Sequence, residues 1–188
     1  MITIAKFIKG ELPDDSPIYT EIVSKPEYQE SIDSIGIGDL TDCSFGLIKE
    51  ILMDMEGGFT FEKQYNSLVK IIAEKGLKTN LMDMELLTFV QQLNYMKDGL
   101  NEIIENERQL LSDSDFDEKA ERAAIGDNGK SLFDGIEVYL QLRSLANEDI
   151  TKIDTVEHMK YSDCLLELYT RQQLRKFEKN YERLSRHK

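Results

Sequence analysis

The stretch "LMDMELLTFVQQLNYMKDGLNEIIENERQLL", residues 81–111, decides the fold. Leu86, Phe89, Val90, Leu93, Met96, Leu100, Ile103, Ile104, Leu110 and Leu111 recur at three- and four-residue spacing, which gathers them on one side of an α-helix. Run unbroken, such a helix is about 45 Å long at 1.5 Å per residue, and it is the expected spine of the molecule. Gly99 is a tolerated weak point within it.

Working outward, the same period returns on both sides. "TDCSFGLIKEILMDM" sets Phe45, Leu47, Ile48, Ile51 and Leu52 on one face, and Gly57-Gly58 stops it. Thr60 is placed to cap "FEKQYNSLVKIIAEKG", which Gly76 ends. Beyond the spine, "SLFDGIEVYLQLRSLAN" holds Leu132, Phe133, Ile136, Tyr139, Leu140 and Leu145 in register, and Asp154 with Glu157 reads as a capping box. A last helix starts near Ser162 and reaches toward the C-terminus. Residues 1–40 read as short helices and turns, with Pro17 and Pro26 at first-turn positions. No region alternates over several strands and no repeat has a fixed period. The expectation is an all-α, single-domain helical bundle over 1–188, with one long central helix and a long C-terminal helix over 162–188 that can extend as an arm.

Composition fits that expectation. The chain has 188 residues, 40% hydrophobic and 31% charged, with three prolines. That is enough to bury one core and unlike a disordered chain. No apolar run approaches the roughly 18 residues a membrane helix needs, and the N-terminus lacks a signal-peptide pattern, so no membrane partner and a cytoplasmic location are expected. The net charge of −13 is unevenly spread: Arg171 to Lys188 holds seven Lys or Arg against two Glu, +5, which leaves −18 on the rest.

Motifs that carry chemistry are weak. The two cysteines, Cys43 and Cys164, each follow a hydroxyl residue and an aspartate, in "TDC" and "SDC". A helix N-terminus lowers a thiol's pKa, but the aspartate opposes it. Thr41 or Asp42 and Ser162 or Asp163 are read as helix caps, with each cysteine a small apolar residue turned inward. "DSDFDEKAERAA", residues 113–124, begins like a calcium loop but has Glu118 where the turn needs glycine and Ala124 where a bidentate glutamate belongs. "GIGDLT", residues 36–41, is a fragment of a phosphate-binding loop, with Asp39 and Asp42 set to repel an anion. His158 and His187 are the only histidines, so no zinc spacing or catalytic base beside a serine is present. No catalytic residue, cofactor or metal is expected, and the protein is read as non-enzymatic.

The C-terminal helix carries the candidate site. In "YTRQQLRKFEKNYERLSRHK", Arg171, Arg175, Lys179 and Arg183 fall four apart as a basic ridge with Arg186 close behind, while Leu174, Phe177, Tyr181 and Leu184 form a stripe on another face. Like charges four apart each destabilise a helix by roughly 0.2 to 0.5 kcal/mol, so the ridge calls for a neutralising partner. Three candidates meet the need: the helix's own C-terminal dipole with the acidic body, the acidic surface of an identical neighbour, or nucleic acid. All nine side chains are candidate partner-binding residues.

The opening "ITIAKFIKGELPDDSPIYTEI", the "LTDCSFGLIKEI" helix start and the closing "EHMKYSDCLLELYTRQQLRKFEKNYERL" resemble small acidic helical virion-assembly proteins of tailed bacteriophages, namely portal-vertex ring or connector proteins and tail assembly chaperones. The resemblance implies a structural role in building or joining a particle, with copies of the chain and other virion proteins as partners. It implies the host cytoplasm during assembly, then the virion. A tail assembly chaperone is the alternative, and a nucleic-acid-contacting regulator using the basic helix is another.

Overall fold

The computed structural model describes residues 26–111 and 136–186. The calcium-like run at 113–124, Leu132 and Phe133, Pro17 and His187 lie outside them. Among the described residues the protein is all-α: α1 (Phe45–Glu56), α2 (Phe61–Glu74), α3 (Leu86–Leu111), α4 (Glu137–Leu145), α5 (Ile153–Glu157) and α6 (Tyr161–Ser185), with four short 3-10 turns. The two long helices expected are α3, of 26 residues, and α6, of 25. The spine spans its apolar pattern, Leu86 to Leu111, but is shorter than the 81–111 stretch. Leu81–Asp83 form a separate 3-10 turn capped by Asn80, and α3 starts at Leu86.

That turn is one of a set. Asp39, Asn80 and Asp149 each accept, through a side-chain oxygen, the backbone N–H two residues on, and each opens a three-residue 3-10 turn. At Asp39 and Asp149 the same carboxylate oxygen also accepts the following threonine hydroxyl, at 2.8 and 2.7 Å. Asn and Asp favour this local bond over a helical start. At these three places the device sets a turn ahead of an α-helix. It recurs without a fixed period.

The chain forms two compact units. The first comprises the described residues through Cys43 together with Glu50–Ile103, and the second comprises Ser44–Lys49 with Ile104 onward. In the first, Leu68, Ile71 and Ile72 of α2 and Phe89, Val90, Leu93, Met96, Leu100 and Ile103 of α3 are buried with Ile37, Leu40 and Ile51. Phe89 receives the rings of Phe61 and Tyr65 at centroid distances of 5.9 and 6.2 Å. The segment leading to α1 is held by polar side chains of α3. Asn94 donates to the carbonyls of Tyr28 and Glu30, Gln91 donates to the Glu30 carboxylate, and Gln92 bonds both the Ile35 amide and Asp33. Gln91 and Gln92 are thus buried, where the periodic reading placed only apolar residues. Gly99 is more than a weak point, because a Cβ there would stand 2.9 Å from Cδ1 of Leu40.

In the second unit α4 packs on α5 and α6. Phe45, Ile48, Leu142, Leu145, Ala146, Val156, Tyr161 and Cys164 are buried. On α4 the buried positions are Leu142 and Leu145, while Ile136 and Tyr139, expected on the core face, are exposed. The starts of α1 and α6 lie side by side, since the Phe45 amide donates to the Met159 carbonyl at 2.8 Å and Ser44 pairs with Lys160. A side chain at residue 46 would meet the Glu157 backbone at 3.2 Å, so only glycine fits there without displacement.

The caps differ from the sequence reading. Ser44 accepts the Leu47 N–H at the start of α1, whereas Thr41 and Asp42 belong to the preceding turn. Helix α6 begins one residue before Ser162 with no side-chain cap, and Ser162 and Asp163 sit inside its first turn. Asp154 likewise falls within α5 rather than capping it.

Candidate functional site

Helix α6 divides into two parts. Its first turns bury Tyr161 and Cys164, and Leu165 and Leu168 are half-buried. From Phe177 to Arg186 every residue is exposed. Leu174, Phe177, Tyr181 and Leu184 are 56 to 66% exposed, and the Phe177 and Tyr181 rings stack on one another at 6.2 Å. Leu166 is exposed to the same degree and falls on the same face, eight residues before Leu174. The stripe read from the sequence begins at Leu174 and does not include it.

At about 100° per residue, the stripe and the basic ridge point to opposite sides of the helix. The ridge prolongs the line of Tyr161, Cys164 and Leu168, the face by which α6 packs. The stripe faces away from it. A single flat partner therefore cannot take both. Arg175, Lys179 and Arg183 are exposed and make no ion pair or hydrogen bond with a described residue. Arg186 pairs with Glu182 at 3.4 Å in full exposure, a contact of little energy.

Arg171 has a different role. Its guanidinium is bonded to the carbonyls of Ser144 and Leu145, the Asn147 side-chain oxygen and the Glu167 carboxylate. It thereby satisfies carbonyls at the end of α4, which have no partner within the helix. Just there Asn147 and Glu148 both take left-handed backbone conformations, φ 55° and 62°, which non-glycine residues adopt only where surrounding contacts hold them. Arg171 is a clamp within the second unit rather than an open member of the ridge.

A second polar arrangement, absent from the sequence reading, lies in the same unit. Lys49 is 7% exposed, and its ammonium donates to Glu107 Oε1 at 2.5 Å. The Tyr161 hydroxyl donates to Glu107 Oε2 at 2.7 Å and Gln141 donates to Oε1 at 3.3 Å. The ammonium also lies 5.5 and 5.8 Å from the ring centroids of Phe45 and Tyr161, which stack on each other. Burial, and then the Glu107 charge, push the Tyr161 hydroxyl far above its ordinary range, so it remains a proton donor. The group joins α1, α3, α4 and α6 through one carboxylate. No periodicity announces it, because a lone lysine on an apolar helix face is ordinarily assigned to solvent.

The remaining sequence candidates resolve physically. The amides of Ile37 and Gly38 in "GIGDLT" both donate to the Asp33 carboxylate at 2.8 Å, so the loop's donors are already taken by an internal anion. Burial pushes both thiols up to about 11, and nearby acids add to this at Cys43 and Asp163 adds at Cys164. Both cysteines are buried and held as thiols at neutral pH. Among the described residues no group of three His, Cys, Asp or Glu converges as a metal site, and no helix is long and apolar enough to cross a membrane.

The fold and site together define an all-α protein with an amphipathic C-terminal helix whose apolar face is open. Comparison with protein-family models, curated proteins and solved structures finds no match.

Proposed function

We propose that this protein is a structural or assembly component that acts through protein–protein contacts, with α6 as its contact helix. The observation that carries the reading is the open stripe of Leu174, Phe177, Tyr181 and Leu184 on a helix whose last turns pack against nothing described. A run of large exposed apolar residues marks an interaction surface. The resemblance of the opening and closing segments to small acidic phage proteins supports a ring or connector role in a virion, made in the host cytoplasm. Copies of the chain and other virion proteins are then the partners. The ridge of Arg175, Lys179 and Arg183 supplies positive charge on the opposite face, suited to the acidic surface of a neighbour.

The test is solution mass by light scattering, at low and high salt, for the full chain and for one ending at Thr170. A defined oligomer that truncation dissolves is the expected result. A full chain that is monomeric under every condition and shows no binding to other particle proteins overturns the proposal. Salt-sensitive binding of nucleic acid by the full chain alone would transfer the ridge to that ligand.

A further inference from the structure

We infer that α6 pairs with α6 of a second copy of this chain as a short, parallel, two-stranded coiled coil. The inference rests on the assembly reading above and specifies its contact. Thr170, Leu174, Phe177, Tyr181 and Leu184 are spaced four, three, four and three apart, the alternation of facing positions in a seven-residue repeat. Leu174 and Tyr181 occupy one set of facing positions and Phe177 and Leu184 the other. A helix end this exposed gains no stability from packing on its own unit, and short isolated helices are marginal in water. A helical partner along the stripe removes that deficit.

The polar match between the stripe's two edges points to a second copy, and the Glu178 charge sets its direction. One edge of the stripe carries Gln173 and Asn180, and the other carries Glu178 and Ser185. In a parallel pair, Gln173 of one copy faces Glu178 of the other and Asn180 faces Ser185, so amides meet a carboxylate and a hydroxyl. Antiparallel pairing in the matching register sets Glu178 against Glu178, a repulsion between like charges. The ridge of Arg175, Lys179 and Arg183 lies on the far side in both arrangements, so pairing does not oppose the cations. Toward the N-terminus the next facing position is Glu167, which would oppose its own copy and is engaged by Arg171 at 2.6 Å. The seam is therefore bounded at Thr170. Its brevity makes the pairing concentration-dependent.

The test uses the full chain with Tyr181→Cys. Cys43 and Cys164 are buried, so the introduced thiol is the one that responds to mild oxidation. A covalent dimer is expected from Tyr181→Cys, with much less from Lys179→Cys on the ridge side. Separately, Leu174→Glu/Phe177→Glu, at exposed positions that do not threaten the core, should return the mass to that of a monomer while helicity is retained. A disulfide that forms only when Phe177→Cys and Tyr181→Cys chains are mixed would show antiparallel pairing and overturn the inference. An oligomer that truncation at Thr170 dissolves, but that Tyr181→Cys does not cross-link and the Glu variant does not disturb, overturns this seam and leaves the assembly reading standing. A full chain that is monomeric throughout but binds another particle protein through the stripe overturns the second-copy assignment alone.

Discussion

The Lys49 ammonium has a carboxylate at 2.5 Å and two aromatic faces within 6 Å, in a site nearly closed to water. An ion pair in such a place is costly to break, because the surviving charge is left without solvent or partner. Glu107→Ala should lower unfolding stability by about 3 kcal/mol, read by urea denaturation. Lys49→Met/Glu107→Gln should cost less than the two single changes summed, since neither partner is then stranded. Additive costs would show that the pair does not act as a unit. The cysteines give a pH dependence of known sign. Below pH 9 the thiols are protonated in both folded and unfolded chains. From the ordinary value of 9.0 upward the unfolded chain loses those protons, while the folded chain retains them to about 11. Stability should fall across that window, and Cys43→Ala/Cys164→Ala should fall less steeply in thermal melts at pH 8, 9 and 10. Thiol reagent at pH 8 should label neither cysteine until the protein is denatured.

At the scale of the element, α6 changes character along its length while remaining one helix. Its packed face begins with Tyr161 and Cys164, passes to the Arg171 clamp, and continues as exposed cations. Arg171→Ala removes the charged donor that satisfies the end of α4 and releases the left-handed pair Asn147-Glu148. A loss of about 2 kcal/mol is expected, from the usual worth of hydrogen bonds to a charged group. Arg175→Ala, one turn on and exposed, should stay within about 0.5 kcal/mol of the native protein. Equal effects in the same denaturation assay would remove the distinction between clamp and ridge. The helix starts follow a comparable logic. Residues 81–83 of "NLMD" read as continuous with the apolar run that follows, and Thr41 or Asp42 of "DLTD" as a cap at the helix start, yet in both the Asx side chain takes the amide two residues on and sets a turn first. Local hydrogen bonding prevails there over helical propensity.

For the molecule as a whole, the governing asymmetry is a +5 tail on a chain whose remainder carries −18. If the ridge contributes to assembly, Arg175→Glu/Lys179→Glu should shift the mass distribution toward smaller species at low salt. At high salt the difference between variant and native chain should narrow, as screening shortens to a few Å. Both residues are exposed and make no ion pair or hydrogen bond with a described residue, so the monomer's melting temperature should be unchanged. An unaltered mass at low salt would take the ridge out of the contact.

The all-α class, the long helices α3 and α6, and the separation of α6 into an apolar stripe and a basic ridge were determined by the sequence, because they depend on local period and composition. The Thr60 cap of α2 and Gly76, which ends α2 in a left-handed conformation, follow for the same reason. Which stripe faces solvent was decided only in three dimensions. The same three-four spacing marks Phe89 and Leu93, which are buried, and Phe177 and Tyr181, which are not. Periodicity reports that a helix has an apolar side, while burial depends on whether another part of the chain arrives to cover it. The Lys49, Glu107 and Tyr161 cluster and the Arg171 clamp were likewise settled by tertiary packing. Apart from Glu167 beside Arg171, their partners lie 24 to 58 positions apart in the chain, beyond the reach of any local pattern.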